Sequence, residues 1–575
     1  MNTLERLANR GRLRRADLAL AQWLAHHFSD PQGAVALAAA LASRAVADGH
    51  SALQLDAAQA WFETLDEDGT AARLPTIDWP VALRASDAVY FAADSRTPAP
   101  PRPLVLDGQG RLYLRRYFEY ERRLANALVE RARTAAAWLP AAQQQPSDAL
   151  DPRFARALQQ QLTIVTGGPG TGKTYSVARM LVALARAAAA QAVDLRIALA
   201  APTGKAAARL SESISAQLTG LDLTGTITER IPSHAQTLHR LLGISPWRPA
   251  PTYNAQTPLP FDVVVVDEVS MVDLPMMAKL VDAVAANARL ILLGDPAQLA
   301  AVEAGDVLGS LVSATQDEPL MATHVALTRS HRFAGDSTLA RLAQAITLGD
   351  AAQATQVLAN NDPASASLCE ASTARPVATA YERYLPVIRA TGPAEALHAA
   401  ARFRLLTALR RGPHGCEALD SAIALCLKQA AGVAQNASWW RGRLILITAN
   451  RPELKLFNGD IGVVWPDADG ALQAWFASGA DDVRHFSRAV LPAFEGAFAI
   501  TVHKAQGSEF DEVALVTGPD SAVLTRELLY TGVTRARSRV TLYGHASSLD
   551  RAIARRTVRF SGLADRLREA AHGPA

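Results

Sequence analysis

The stretch TIVTGGPGTGKTYSVARML, residues 163–181, constrains the fold more than any other part of this chain. An apolar run leads into Gly167-Gly168-Pro169-Gly170-Thr171-Gly172-Lys173-Thr174, which fits GxxxxGK[ST], and an amphipathic run follows. Glycines at this spacing let backbone N–H groups turn inward around phosphate oxygens, and a helix that starts at the lysine adds the positive end of its dipole. The loop works only between a strand and a helix. In this reading the loop glycines, Pro169 and Thr171 cradle the phosphates of ATP, with Tyr175 grouped among the nucleotide contacts. Lys173 bridges the β- and γ-phosphates, and Thr174 ligates Mg²⁺.

Such a loop needs a carboxylate on the metal side. VVVVDEVSMVD, residues 263–273, supplies one, because Asp267 ends an apolar strand. Asp267 would hold Mg²⁺ directly or through water, and Glu268 would polarise the attacking water. An isolated Asp-Glu pair at a strand end reads equally well as a solvated loop. Downstream of the phosphate loop the catalytic reading prevails, so the chain is expected to hydrolyse ATP or a similar triphosphate.

With 575 residues the chain exceeds one ordinary core, and three or four domains are expected. Residues 1–140 read as mainly helical, from Leu4, Leu7, Leu18 and Trp23 to the long amphipathic RRYFEYERRLANALVERA, with a hairpin-like LVLDGQGRLYL before it. LPAAQQQPSDAL, residues 139–150, is a linker. From residue 151 to 330 apolar strands alternate with helices: LTIVTG, RIALAAP, DVVVVDE, RLILLGD and HVALT. The same texture returns within 331–575 as RLLTAL, AFAITVH, EVALVTG and RVTLYGH. The expected fold class is therefore α/β, with two parallel-sheet domains covered by helices on both faces. An Ala-rich helical stretch lies near 335–400, and residues 440–495, with FNGDIGVVW, read as a small barrel of hairpins.

Composition excludes several classes. Hydrophobic residues make up 49% and charged residues 20%, as in a globular protein. Cys369, Cys416 and Cys426 show no metal-ligand spacing, the N-terminus lacks the apolar core of a signal peptide, and the longest apolar stretch carries Arg186, Asp194 and Arg196. A cytoplasmic protein without a membrane partner is expected. The net charge of +3 permits nucleic acid without arguing for it. Only six lysines remain among 58 basic residues. Lys173 of GPGTGKT, Lys205 of APTGKAAARL and Lys504 of TVHKAQGSEF are among them and are candidates for places where a compact ammonium is needed rather than a guanidinium.

Seven further motifs follow in order: APTGKAAARL, TLHRLLG, DEVSMVD, GDPAQLA, LTRSHRF, TVHKAQGSEF and LLYTGVTRAR. Together they resemble the ordered motifs of superfamily 1 helicases, from Leu162 to about Arg537. The resemblance implies two RecA-like domains. It implies that Gln298 senses the γ-phosphate, that Arg332 and Arg535 act as arginine fingers, and that Glu509 faces the ribose or the cleft. His331 stands where relatives carry a base-stacking aromatic, usually tyrosine. It further implies that Thr203, Lys205, Thr237, His239, Thr501 and His503 grip single-stranded DNA. For each of these polar residues alone, a helix cap or turn hydrogen bond is the competing reading.

GGPGTGKT, TLHRLLG, FNGDIGVV and TVHKAQGSEFDEV resemble the RecD family in particular, as does Pro103–Ala125. That likeness implies a 5′-to-3′ motor at DNA double-strand ends in recombinational repair, partnered by RecC at the amino-terminal domain and by RecB, which carries the nuclease. The amino-terminal region shows no helix-hairpin-helix repeats of the kind carried by longer stand-alone relatives, which favours the complex-bound type. A stand-alone helicase and a non-unwinding ATP-binding regulatory subunit are the alternatives. The adenine-reading glutamine of such helicases has no counterpart: its register falls near Leu150, with Gln145 and Gln159–Gln161 out of step. Glu453-Leu454-Lys455 is the sole Glu-x-Lys, without an acidic partner just upstream, so cutting is not expected of this chain.

Overall fold

The computed structural model describes residues 3–30, 33–64, 74–93, 98, 100–136, 151–219, 227, 229–245, 247, 248, 250–328, 337–359, 365–370, 372–478, 482–518 and 521–572. The linker read at 139–150 and the residues His331 and Arg332 lie outside them.

The amino-terminal region has more sheet than its sequence suggested. Helices α1 (Thr3–Asn9), α2 (Arg15–His27), α3 (Ala34–Ala47), α4 (Ala58–Thr64), α5 (Trp79–Arg84) and α6 (Arg115–Arg133) surround strands β1 (Leu53–Gln54), β2 (Val89–Ala92), β3 (Leu104–Asp107) and β4 (Arg111–Leu114). The strands form one sheet in the order β1-β4-β3-β2, with β3 and β4 as the expected hairpin. Strands β1 and β2, of two and four residues with no turn signal between them, show too little alternation to be legible. Trp23 is not core: it stays on the surface, stacked on His27.

The first parallel-sheet domain begins with α7 (Pro152–Ala157) and β5 (Leu162–Gly167), then α8 (Lys173–Ala190), β6 (Ile197–Ala201), α9 (Gly204–Thr219), β7 (Gln236–Thr237), β8 (Val263–Val266), β9 (Arg289–Gly294) and β10 (His324–Leu327). Its sheet runs β10-β5-β9-β8-β6-β7, and every pairing is parallel. Fully buried strands such as Val263–Val266 read as unbroken apolar runs because helices cover both faces.

A second parallel sheet, in the order β11-β20-β19-β12-β18, comprises β11 (Ala366–Cys369), β12 (Phe403–Thr407), β18 (Ala499–Thr501), β19 (Phe510–Gly518) and β20 (Ala536–Gly544). The Ala-rich stretch supplies helices Thr338–Leu348, Ala351–Ala359, Ala374–Arg389 and Pro393–Arg402. Between β12 and β18 sits an antiparallel ladder, β16-β15-β14-β13-β17: β13 (Leu444–Ile447), β14 (Ile461–Pro466), β15 (Leu472–Ala477), β16 (Val483–Phe486) and β17 (Phe494–Gly496). It has its own small core of Ile445, Ile447, Leu456, Val464, Ala474 and Phe476.

The chain end returns to the beginning. Helix Leu563–His572 lies on α6, and the buried Glu121 of α6 accepts from Ser51 Oγ (2.5 Å), Ser561 Oγ (2.7 Å) and the Gly562 amide, and is ion-paired with Arg566. Arg131 of α6 donates to the carbonyls of Val284 and Ala288, tying the amino-terminal region to the first parallel-sheet domain. Among the described residues no helix is long and apolar enough to cross a membrane.

Candidate nucleotide and nucleic-acid sites

The phosphate loop lies where its sequence requires, between the end of β5 and the start of α8. Gly170 (φ 73°) and Gly172 (φ 83°) adopt left-handed backbone, which glycine reaches without strain. A Cβ at Gly167 would come within 2.5 Å of Thr171 Oγ1 and 2.8 Å of the Leu327 carbonyl, so the loop can curl this tightly only around a glycine. Thr171 donates to the Gly168 carbonyl at 2.8 Å. Lys173 Nζ donates to the carbonyls of Gly167 (2.6 Å) and Gly168 (3.1 Å), which holds the ammonium inside the curve of the loop.

Asp267 follows β8, and its Oδ1 accepts the amide of Glu268 at 2.8 Å. Glu268 sits at φ 53°, ψ 42°. A non-glycine residue held there costs roughly 1–3 kcal/mol, and such positions cluster at sites where a side chain must be aimed. Burial pushes the Asp267 carboxyl up to about 6, the Glu268 charge pushes the same way, and Lys173 opposes both. Three groups brought together from sequence are thus within electrostatic reach of one another. Thr174 and Asp267 offer the hard oxygen donors that Mg²⁺ prefers, and a dication beside Asp267 would relieve the crowding of negative charge. Tyr175 is exposed, with Arg179 donating to its hydroxyl at 2.9 Å. Leu150 and Gln145 lie outside the described residues.

The second parallel-sheet domain meets this site through contacts the motifs did not disclose. Asp295, just after β9, accepts on one oxygen, Oδ2, from Gln298 Nε2 (3.1 Å) and from the Tyr530 hydroxyl (2.9 Å). The Leu299 amide donates to Thr531 Oγ1 (2.9 Å), and Gln506 Nε2 donates to the Leu299 carbonyl (3.2 Å). Tyr530 also reaches the phosphate loop, since a Cβ at Gly168 would lie 2.8 Å from its hydroxyl. Burial, the charge of Asp295 and their hydrogen bond raise the Tyr530 phenol well above its ordinary range, so it stays a donor. Arg535 is buried and donates to the carbonyls of Thr531 (3.1 Å) and Ser508 (3.3 Å). Glu509 faces the cleft, 3.4 Å from Arg537 and 4.0 Å from Arg209 of α9. Sequence reasoning singled out neither Tyr530 nor Arg209. Both stand inside quoted motifs, but a motif does not say which of its residues crosses a domain boundary.

The residues read as DNA contacts lie where strands give way to helical turns: Thr203 between β6 and α9, Lys205 in the first turn of α9, Thr237 at the end of β7, His239 in the short helix Leu238–Leu241, Thr501 at the end of β18 and His503 in the turn His503–Ala505. Thr203 accepts the Ala206 amide at 3.2 Å, Thr237 the Arg240 amide at 3.3 Å, and Thr501 the Lys504 amide at 3.4 Å. Each therefore makes the turn or cap hydrogen bond of the competing reading, which leaves its second lone pair for another donor but none of its geometry dedicated to a ligand. His239 is exposed. His503 is half-buried, and burial lowers its imidazole from the ordinary range. Lys205 is brought down to about 8, first by burial and then by Arg209, with Asp460 opposing. The turn that holds Asp460 lies against α9: a Cβ at Gly204 would meet the Phe457 ring at 2.5 and 2.7 Å and the Phe457 Cβ at 2.9 Å.

Comparison with known proteins places this geometry in a family. Residues 9–113 match the model for the RecBCD enzyme subunit RecD N-terminal domain, residues 153–304 an AAA domain, and residues 496–543 a UvrD-like helicase C-terminal domain. The RecBCD enzyme subunit RecD of Mycolicibacterium smegmatis is 41% identical, over 96% of this chain and 97% of its own. That of Haemophilus influenzae is 37% identical, over 71% and 70%. The ATP-dependent RecD2 DNA helicase of Deinococcus radiodurans is 31% identical, over 84% of this chain and 61% of its own length. A solved Pif1 helicase from Bacteroides, in complex with ADP-AlF3 and single-stranded DNA, overlays with a TM-score of 0.38 at 15% identity, over 69% of this chain and 92% of that one. The chain belongs to the RecD family of RecBCD enzyme subunits and is an ATP-dependent DNA helicase.

Proposed function

We propose that this chain is a 5′-to-3′ translocase on single-stranded DNA, working with RecB and RecC subunits in the cytoplasm on the ends of duplex DNA in recombinational repair. The observation that carries the reading is the phosphate loop and the Asp267-Glu268 pair facing motifs of a second parallel-sheet domain across one cleft. A motor needs that arrangement, because ATP between two domains can draw them together and hydrolysis can release them. Residues 1–140 serve as the partner-binding domain, 151–330 as the first motor domain and 331–575 as the second, with 440–495 inserted as a small β-rich unit.

Lys173, Thr174 and the loop amides would bind the triphosphate. Thr174 and Asp267 would hold Mg²⁺, which when bound neutralises charge on the phosphates. Glu268 orients and deprotonates the attacking water. Gln298 reads the γ-phosphate, and Arg332 and Arg535 answer its charge from the second domain. Thr203, Lys205, Thr237 and His239 grip the strand on one domain, Thr501 and His503 on the other. Alternate gripping as the cleft opens and closes moves the strand.

The test is strand displacement by the purified chain, alone and with RecB and RecC, on duplexes with a 5′ or a 3′ single-stranded tail. Unwinding of the 5′-tailed duplex alone, lost in Lys173→Gln, is expected. Unwinding of only the 3′-tailed duplex would overturn the polarity. No unwinding even in the assembled complex would overturn the motor.

A further inference from the structure

Helix α9 starts at Gly204, directly after Thr203, and its first turns carry Lys205 and Arg209. Residues four apart stand on one face of a helix, about 6 Å along its axis. Lys205 is at the end read as facing DNA. Arg209 faces the catalytic cleft, with Nη1 4.0 Å from Glu509 Oε1, and Glu509 in turn meets Arg537 Nε at 3.4 Å. The surroundings of Arg209 come from both motor domains. Burial lowers its guanidinium from the ordinary range; Glu509 and then Glu268 favour its charge, while Arg535 and Arg537 oppose it. One side chain of the first domain is therefore within electrostatic reach of the hydrolytic carboxylate, the Glu509 loop and an arginine finger, yet none of the roles assigned above includes it.

An ion pair at a surface contributes little, and a 4.0 Å separation is at the outer limit of a direct contact. The position of Arg209, rather than the strength of one pair, is what matters. A helix is stiff over two turns, so a displacement of Thr203–Lys205 must move Arg209 as well. Arg209 in turn bears on the loop of the second domain that has to settle over Glu268.

We propose that Arg209 is a positioning residue that couples DNA contact at the start of α9 to ATP hydrolysis, by placing Glu509 and the second domain over Glu268. The inference rests on the functional reading above, in which α9 begins at the DNA path and Glu268 activates water.

The experiment uses the full chain with its partners and measures ATP hydrolysis with and without an oligo(dT) single strand. Arg209→Gln should lower the DNA-stimulated kcat tenfold or more, with the KM for ATP within twofold of the parent. Arg209→Lys, which keeps the charge but loses the planar fork, should fall between the two. Arg209→Gln added to Glu509→Gln should cost nothing further in the stimulated rate. Equal loss with and without DNA would overturn the coupling, as would additive losses in the double variant. If the parent is stimulated and Arg209→Gln keeps that stimulation, only this inference falls. If the parent shows no DNA-stimulated hydrolysis dependent on Lys173, the functional reading falls and the inference with it.

Discussion

Tyr530 of the second motor domain and Asp295 of the first share a buried hydrogen bond of 2.9 Å, on the same carboxylate oxygen that Gln298 uses. A donor from each domain thus meets on one acceptor, beside Gly168 of the phosphate loop. A shift of Gln298 toward a γ-phosphate has to be felt by Tyr530. Tyr530→Phe keeps the ring and removes only the donor to an ionised acceptor, a loss of about 1.5–3 kcal/mol. If that energy is spent on cleft closure, DNA-stimulated kcat should fall by about tenfold or more, since each 1.4 kcal/mol is a factor of ten. An unchanged rate in a folded variant would show that the bond only glues the domains together.

Glu268 and Lys173 should separate binding from hydrolysis. Glu268→Gln preserves shape and the unusual backbone while removing the base, so the chain should still bind a fluorescent ATP analogue and hydrolyse ATP about 10²–10⁴-fold more slowly. Lys173→Gln removes the phosphate ligand and should weaken binding as well. Full hydrolysis by Glu268→Gln would move the general base elsewhere.

How legible this was from sequence depends on the range of the interaction. The phosphate loop, Asp267 and nine strands of the two parallel sheets were readable because each is a local pattern: a glycine spacing, or an apolar run of a covered strand; β11 (Ala366–Cys369), inside the stretch read as helical, was not. Strand Gln236–Thr237 and strands β1 and β2 of the amino-terminal sheet were not, because such short strands, without a turn signal to pair them, carry almost no periodicity. Glu121, buried on the apolar face of α6 beside Tyr117, Phe118, Leu124 and Ala125, was invisible for another reason. Its partners Ser561, Gly562 and Arg566 lie more than 400 positions away, and nothing local announces that a helix will bury a carboxylate for a distant arginine. Tyr530 and Arg209 share that character, as cross-domain contacts inside motifs whose spacing encodes only one side.

The contact between Phe457 and Gly204 predicts a compensating pair. Gly204→Ala puts a methyl within 2.5–2.9 Å of the Phe457 side chain, so the turn of the β-rich insertion must move. Overpacking of this kind costs about 1–3 kcal/mol. With that turn displaced from Lys205, single-strand affinity measured by fluorescence anisotropy should change in Gly204→Ala. Adding Phe457→Ala frees the space and should return affinity toward the parent value. If the double variant behaves as Gly204→Ala alone, the turn does not shape the DNA path.

His50 makes the docking of the chain end sensitive to acid. Its Nδ1 accepts the Phe560 amide at 2.9 Å, its ring stacks on Phe560 at 4.6 Å, and Trp61 meets it edge-on. Burial first, then the Arg559 charge, lowers the imidazole from 6.5 to about 4. Nδ1 can accept only while unprotonated. The folded pKa is depressed, so the unfolded chain takes up a proton that the folded one refuses. Stability from this site is complete above pH 6.5 and drains away as pH falls toward 4, by up to about 3 kcal/mol. Hydrogen exchange of residues 555–572 should therefore be flat above pH 6.5, after correction for intrinsic rates, and lose protection below it. His50→Gln keeps an acceptor without a titrating proton and should flatten the profile between pH 6.5 and 4. A variant whose protection still falls over that interval would assign the acid sensitivity to another group.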